Sequence, residues 1–313
     1  MAKKQLDRGH ELLAACFGGD PAAQLVYADW LEEQGHPAAK AIRAKTDTAA
    51  EKAIDPKLFG KAVDWVTPFQ NKRFDRGMLR EVHSASGAYV SKATQAALLP
   101  IVSRFGVRTT ALTGTSAKLG DAETLAWTGA FRWFQSEIDD ARASALAKSP
   151  HLAHGRLRSL ALHRLKLGNA GLKALAKSPA IANVTSLELL SPVNLGAFEV
   201  QAVVGLVGAM PLERLSLSGP FRTKIENLGR APAIAKLSFL SLTGVSARVL
   251  RTLLDGDQLT GLRSMYLGAY EPIPDAVLEP LFGLSALAKV EIWSEERNVS
   301  PAMRRRLRQR FGK

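Results

Sequence analysis

Cysteine is almost missing: Cys16 is the only one in 313 residues. A lone thiol forms no internal disulfide and no cysteine-based zinc site, and its scarcity suits a reducing compartment. Aromatic residues are sparse, at 7%. No apolar run approaches the ~20 residues that a membrane-spanning helix needs. Lys3 and Lys4 stand near the start, but Asp7, Arg8, His10 and Glu11 interrupt any signal-peptide core. Neither G-x-x-x-x-G-K-S/T nor G-x-G-x-x-G occurs. The expectation is a soluble, cytoplasmic, monomeric protein that carries no cofactor and no metal. Wholesale disorder is excluded, because 46% of residues are hydrophobic and 23% charged. The length allows about two domains or one elongated repeat domain.

Acidic residues are also short. Against 42 Lys and Arg stand 29 Asp and Glu, a net charge of +13. The excess is regional, since residues 1–70 hold 9 basic and 10 acidic side chains. Eight basic residues and no acid lie between Ala141 and Leu187. The last fourteen residues hold six more: Arg304, Arg305, Arg306, Arg308, Arg310 and Lys313. Such a field attracts polyanions or acidic surfaces, although basic side chains also simply keep an outer face soluble.

What the chain has in plenty is leucine at a fixed period. Leu-x-x-Leu-x-Leu stands at Leu157, Leu160 and Leu162. Variants begin at Val184, Leu212, Leu237, Leu262 and Leu287, separated by 27, 28, 25, 25 and 25 residues in turn. Weaker copies lie upstream at Leu79, Val82, Ser84 and at Val107, Thr110, Leu112. A degenerate one is expected at Phe131, Phe134, Ser136.

Alternate side chains of a strand share a face, so the last two apolar positions of each triplet point the same way. A strand with one apolar face cannot bury it alone, and stacking such strands in parallel makes a continuous core. Between strands the sequence offers helices. Leu172 and Leu175 have helical spacing, and Ser246 is a good N-cap for a helix carrying Val249, Leu250, Leu253 and Leu254. Pro150, Pro179, Pro211 and Pro232 stop the return segments.

These triplets, with the stretch from Leu167 to Val184, resemble the leucine-rich repeat family in its ribonuclease-inhibitor-like form. The resemblance spans about residues 75–295 and implies an α/β horseshoe solenoid with a parallel concave sheet and outer helices. The chain departs from the family at the usual turn Asn. Leu165, Pro192, Pro220, Val245 and Tyr270 stand there, so a less regular turn is expected. The run Leu25-Val26-Tyr27-Ala28-Asp29-Trp30-Leu31-Glu32-Glu33-Gln34-Gly35 resembles the small repeat-companion domain that precedes leucine-rich repeats in many bacterial proteins. Asp20 and Pro21 read as its helix start, with Leu25, Ala28 and Leu31 on one face and Val26 and Trp30 beside it. Tyr27, Trp30 and Leu31 are expected to bury against the first strand unit as a cap; a docking module with Asp29, Glu32 and Glu33 outward is the alternative. The expected layout is a helical module and connector at 1–66, repeats at 67–296 and a basic capping helix at 297–313.

No catalytic constellation stands out. Cys16 sits among Leu12, Leu13, Ala14, Ala15 and Phe17 and reads as a core residue. His151 and His154 lack a third ligand at metal spacing. A non-enzymatic role is expected. In a horseshoe of this kind, the residues alternating with the leucines line the concave face. Most are Ser, Thr or Ala. Phe239, Tyr266 and Trp293 are the exceptions, each one outward position further along its strand, and they are the expected partner-binding residues together with Arg214 and His163. Exposed aromatics are common interface anchors. The expected function is a scaffold binding another protein through this face. The alternative is nucleic-acid or polyanion binding through Arg156, Arg158, Arg164 and Lys166 with Arg304, Arg305 and Arg308 of the tail. The tail itself reads as a helix capped by Ser300, with Met303, Leu307 and Phe311 on one face.

Overall fold

The computed structural model describes residues 2–17, 20–36, 38–44, 74–75, 78–85, 89, 91–105, 107–113, 118, 121–133, 138–153, 156–163, 165–190, 200–221, 228, 232–256, 258–269, 271–294 and 299–312. The expected connector, which ends at residue 66, lies outside them. The chain forms two compact units, Met1–Ser136 with Ala145–Leu160, and Glu137–Ser144 with Ala161–Lys313.

The first unit begins with helices α1 (Ala2–Phe17), α2 (Pro21–Glu33) and α3 (Ala38–Ile42). Asp20 caps α2, its Oδ1 accepting the Ala22 N–H at 2.8 Å. Gly35 ends the turn that follows with φ of 65°, a left-handed conformation that glycine adopts without strain. The buried face of α2 is Gln24, Tyr27, Ala28 and Leu31. This corrects the expected stripe, because Leu25 and Val26 are 54% and 48% exposed. Burying the large Tyr27 ring turns the helix away from them. Tyr27 and Leu31 are buried, and Trp30 is half-buried, 5.8 Å from the Tyr27 ring. The Phe17 ring of α1 lies so close to Gly129 that a Cβ there would sit 2.5 Å from it. The helical module therefore meets the third parallel strand of this unit.

Strand β1 (Phe74–Asp75) pairs antiparallel with β2 (Met78–Ala85). β2, β3 (Val107–Thr113) and β4 (Thr128–Trp133) run parallel, with α4 (Lys92–Phe105) between β2 and β3. Here the pairing corrects the weakest triplet. Thr128 lies beside Val107, Phe131 beside Thr110 and Trp133 beside Leu112. The third triplet is thus Thr128, Phe131, Trp133, three residues earlier than the spacing suggested. A threonine in the first slot hid it. Thr128 and Thr110 are buried and share a hydroxyl hydrogen bond of 2.6 Å, so polar atoms fill slots that leucine fills elsewhere. Nearby, Thr124 Oγ1 donates to the Tyr89 phenol oxygen at 2.6 Å, and Gln95 Nε2 donates to the Tyr89 carbonyl at 2.6 Å.

The second unit contains β5 (Ile138–Asp139), β7 (Leu165–Lys166), α6 (Asn169–Ala176), β8 (Ser186–Leu190), α7 (Val200–Gly208), β9 (Arg214–Phe221), β10 (Phe239–Val245), α8 (Ala247–Leu254), β11 (Ser264–Ala269), α9 (Asp275–Leu278), β12 (Lys289–Ser294) and α10 (Pro301–Phe311). Helix α5 (Asp140–Ala147) and strand β6 (Ser159–His163) each contribute residues to both units. Strands β8 to β12 lie side by side in chain order, all parallel. Leu187, Leu215, Leu240 and Met265 stand in one line across them, and Leu189, Leu217, Leu242 and Leu267 in a second. All eight are at most 1% exposed.

The turns supply a second regularity. The Thr185 carbonyl accepts the N–H groups of both Glu213 and Arg214, at 2.8 and 2.9 Å. The Glu213 carbonyl does the same for Ser238 and Phe239, Ser238 for Arg263 and Ser264, and Arg263 for Ala288 and Lys289. Main-chain carbonyls thus satisfy the donors at the entries of β9 to β12.

Helix starts follow the expected caps. Ser246 Oγ accepts the Val249 N–H at 3.4 Å, and Ser300 Oγ accepts the Met303 N–H at 3.0 Å. Helix α6 has no cap of its own. Asp140 Oδ1 instead accepts the N–H groups of Gly168 and Gly171 at 2.7 and 2.8 Å. A Cβ at Gly171 would lie 2.5 Å from that oxygen, so glycine permits the approach. Both units are α/β, and no helix among the described residues is long and apolar enough to cross a membrane.

Two stability measurements test this arrangement. Leu242→Ala removes a fully buried side chain and should cost about 3 kcal/mol by urea denaturation, read from the midpoint at unchanged slope. Burial pushes the Tyr89 phenol up to about 12 from 10.0, against the hydrogen bonds from Thr124 and Thr110. The neutral phenol is favoured in the fold, so its contribution is intact below pH 10.0 and lost as pH rises towards about 12. In alkaline spectrophotometric titration, Tyr89→Phe should remove one late-ionising tyrosine.

Candidate functional site

The side chains that alternate with the buried aliphatics of β8 to β12 form the other face of this sheet. Main-chain pairing sets them in rows. Ser186, Arg214, Phe239, Ser264 and Lys289 are neighbours in the first. Glu188, Ser216, Ser241, Tyr266 and Glu291 follow in the second. Leu190, Ser218, Thr243, Gly268 and Trp293 make the third.

The serines create space between larger groups. A cavity of about 240 Å³ opens over β8, β9 and β10, lined by Ser186, Glu188, Arg214, Ser216, Phe239 and Ser241 among others. On its wall the Arg214 guanidinium carbon lies 4.2 Å from the centre of the Phe239 ring. The ring's electron-rich face attracts the cation and holds it extended. Phe239 is half-buried, while Arg214 is exposed. Glu188 Oε1 lies 3.1 Å from His163 Nε2, so the carboxylate side of the cavity is anchored by the next strand in line. The cavity thus offers a planar cation, a carboxylate, an aromatic wall and a hydroxyl floor. A guanidinium held flat in this way suits a carboxylate, which it can bind through two parallel N–H donors.

Of the five expected partner-binding residues, Arg214 and Phe239 come together directly. His163 reaches the same cavity through Glu188. Tyr266 is half-buried and lies beside Ser241, one outward position on from Phe239. Trp293 occupies the next position, beside Gly268, and its side chain lies outside the described residues. Glu188, Ser216 and Ser241 belong to the outward face that the sequence predicts but not to the expected partner-binding set; His163 and Glu188 stand 25 residues apart, two short of the 27-residue interval between their triplets, so periodicity alone does not pair them. Ala161 and Gly268 were expected to face outward but are buried, and so is Ala111 in the first unit.

The basic residues fare differently. Arg156 is only 6% exposed and donates to the Ala126 carbonyl, so a phosphate has no access to it and it is withdrawn from the polyanion set. A buried guanidinium is kept where main-chain acceptors satisfy it. Arg158 is half-buried, Arg164 lies outside the described residues, and for Lys166 only the main chain is described. Arg304 is half-buried, whereas Arg305 and Arg308 are exposed. Cys16 is buried and its thiol lies 3.5 Å from the Ala23 carbonyl. His151 is half-buried and His154 lies outside the described residues. Among the described residues, no three His, Cys, Asp or Glu side chains gather where they could hold a metal ion. No protein-family model matches the chain, and no curated protein matches it.

The stacked pair is open to direct measurement. A double-mutant cycle of Arg214→Ala and Phe239→Ala should show a coupling of about 0.5 kcal/mol in chemical denaturation, because the pair is solvent-accessible. Additivity of the two would mean that the guanidinium does not rest on the ring.

Proposed function

We propose that this chain is a leucine-rich repeat protein with a repeat-companion module, and that it serves as a non-catalytic scaffold binding another protein. In this reading the outward face of β8 to β11 is the concave surface of a horseshoe. The observation that carries it is the Arg214 guanidinium held over the Phe239 ring beside a serine-floored cavity. Preorganised arginine and aromatic groups are the usual centres of protein interfaces, because they lose little freedom on binding. The small residues around them let a partner approach closely. The chemistry of the cavity favours a partner segment that presents a carboxylate beside an apolar side chain. No catalytic role is assigned to any residue, and the reading requires no cofactor. The polyanion reading loses Arg156 and retains the exposed arginines of α10.

The test uses the full chain as bait at two salt concentrations. Replacing Arg214, Phe239 and Tyr266 by Ala should remove the specific partner without altering the circular-dichroism spectrum. Duplex DNA should bind weakly at most and be lost by ~0.2 M salt. A partner list unchanged by the triple variant, or tight duplex binding that survives that salt, would reject the reading.

A further inference from the structure

Among the described residues, the last strand of the second unit is paired on one side only. β12 pairs with β11, and no described residue pairs with its other edge. An open edge carries unpaired N–H and C=O groups that can template a further strand. The inward positions show the same incompleteness. Their counterparts in β9, β10 and β11 are at most 1% exposed, yet Val290 and Ile292 are only half-buried. They do not face empty solvent. With Val299 and Leu307 they line a cavity of about 160 Å³ between β12 and α10. That is close to the ~150 Å³ of an apolar cavity that takes up one benzene ring, so it accommodates one side chain of leucine size.

The rim of this cavity is cationic. Arg304 and Arg308, one helical turn apart, both line it. Arg304 Nε donates to the Val299 carbonyl at 3.0 Å, which holds the side chain in place and leaves its terminal nitrogens uncommitted among the described residues. Arg308 is exposed, and no described side chain pairs with it. Among the described residues, the nearby carboxylates are occupied. Glu279 pairs with Arg306, whose guanidinium lowers the carboxyl below its usual range; Asp275 accepts from Ser300 Oγ at 2.7 Å; Glu291 pairs with Lys289 at 2.6 Å. The described carboxylates therefore do not cancel the positive field at the cavity. A second copy of this chain is a poor occupant, since it would bring another arginine-rich helix against the first.

We propose that the open edge of β12 and this cavity together bind an extended acidic segment of a partner protein as an added strand. Main-chain hydrogen bonds to β12 hold the segment, one apolar side chain enters the cavity, and flanking carboxylates meet Arg304 and Arg308. Strand addition of this kind takes affinity from the backbone and specificity from alternate side chains. The site is separate from the outward face that carries Arg214 and Phe239.

The probe is a fluorescein-labelled, end-capped octapeptide, Glu-Asp-Val-Glu-Leu-Asp-Glu-Asp, titrated with the full chain by fluorescence anisotropy at ~0.1 M salt. Saturable binding is expected. Exchanging Val and Leu for Ser, or N-methylating alternate peptide nitrogens, should each weaken it at least about tenfold. Arg308→Glu should do the same without touching a described contact, while Phe239→Ala with Tyr266→Ala should leave the peptide affinity unchanged. Equal affinity for the N-methylated peptide would reduce the contact to charge alone and overturn the proposal. Absence of saturable binding, indifference to Arg308→Glu, or a dimer in sedimentation that the peptide does not dissolve would overturn it too.

Discussion

A strand whose aliphatic side chains all fall on one side needs a neighbour bearing the same pattern in the same register. In β8 to β11 that need is met by lining up Leu187, Leu215, Leu240 and Met265, with Leu189, Leu217, Leu242 and Leu267 beside them. A slip of one residue would turn every leucine to the outer face and every serine to the core. Each buried leucine contributes roughly 1.5–3 kcal/mol relative to exposure, so the register is held by many equal contributions. The shared carbonyls of Thr185, Glu213, Ser238 and Arg263 then fix where each strand begins. The outer face inherits its rows from this inner order. Arg214 lies beside Phe239 because Leu215 lies beside Leu240.

The same logic explains where the structure is incomplete. Each inner aliphatic of β9 to β11 has a strand on both sides. Among the described residues, those of β12 have one on a single side, and α10 covers them only in part. The helix is well anchored, through Met303, Leu307 and Phe311 in the core, the Ser300 contact with Asp275 and the Arg306 pair with Glu279. What it leaves between itself and Val290 and Ile292 is a cavity with an arginine rim. The tail's charge thus acquires a place in the fold that composition alone did not assign.

Much of this was written in the spacing of the sequence. The strong triplets mark strands that the structure pairs, and Asp20, Ser246 and Ser300 cap the helices read from them. The failures have physical causes. The third triplet lies three residues from its expected place because Thr110 and Thr128 satisfy each other in slots where an apolar residue was sought. On α2, several nearly apolar faces competed, and the large Tyr27 ring decided which was buried. Arg156 looked like part of a basic patch, yet its acceptor is the carbonyl of Ala126, thirty residues back, which no local pattern announces. The cavity over β8 to β10 depends on which small residue stands beside which large one. That information lies in the register between periods, and it emerged only when the rows were paired.

Register is therefore the quantity to measure. Adjacent strands lie ~4.8 Å apart, within the Cα spacing that a disulfide spans, whereas positions offset by two residues are ~8 Å apart. Disulfide trapping between cysteines introduced on β9 and β10 discriminates these cases, with Cys16 buried in the first unit. The account predicts that Ser216→Cys with Ser241→Cys closes rapidly under mild oxidation, and that Ser216→Cys with Thr243→Cys stays open. Closure of the offset pair in preference to the aligned one would contradict the stacking on which the rest depends.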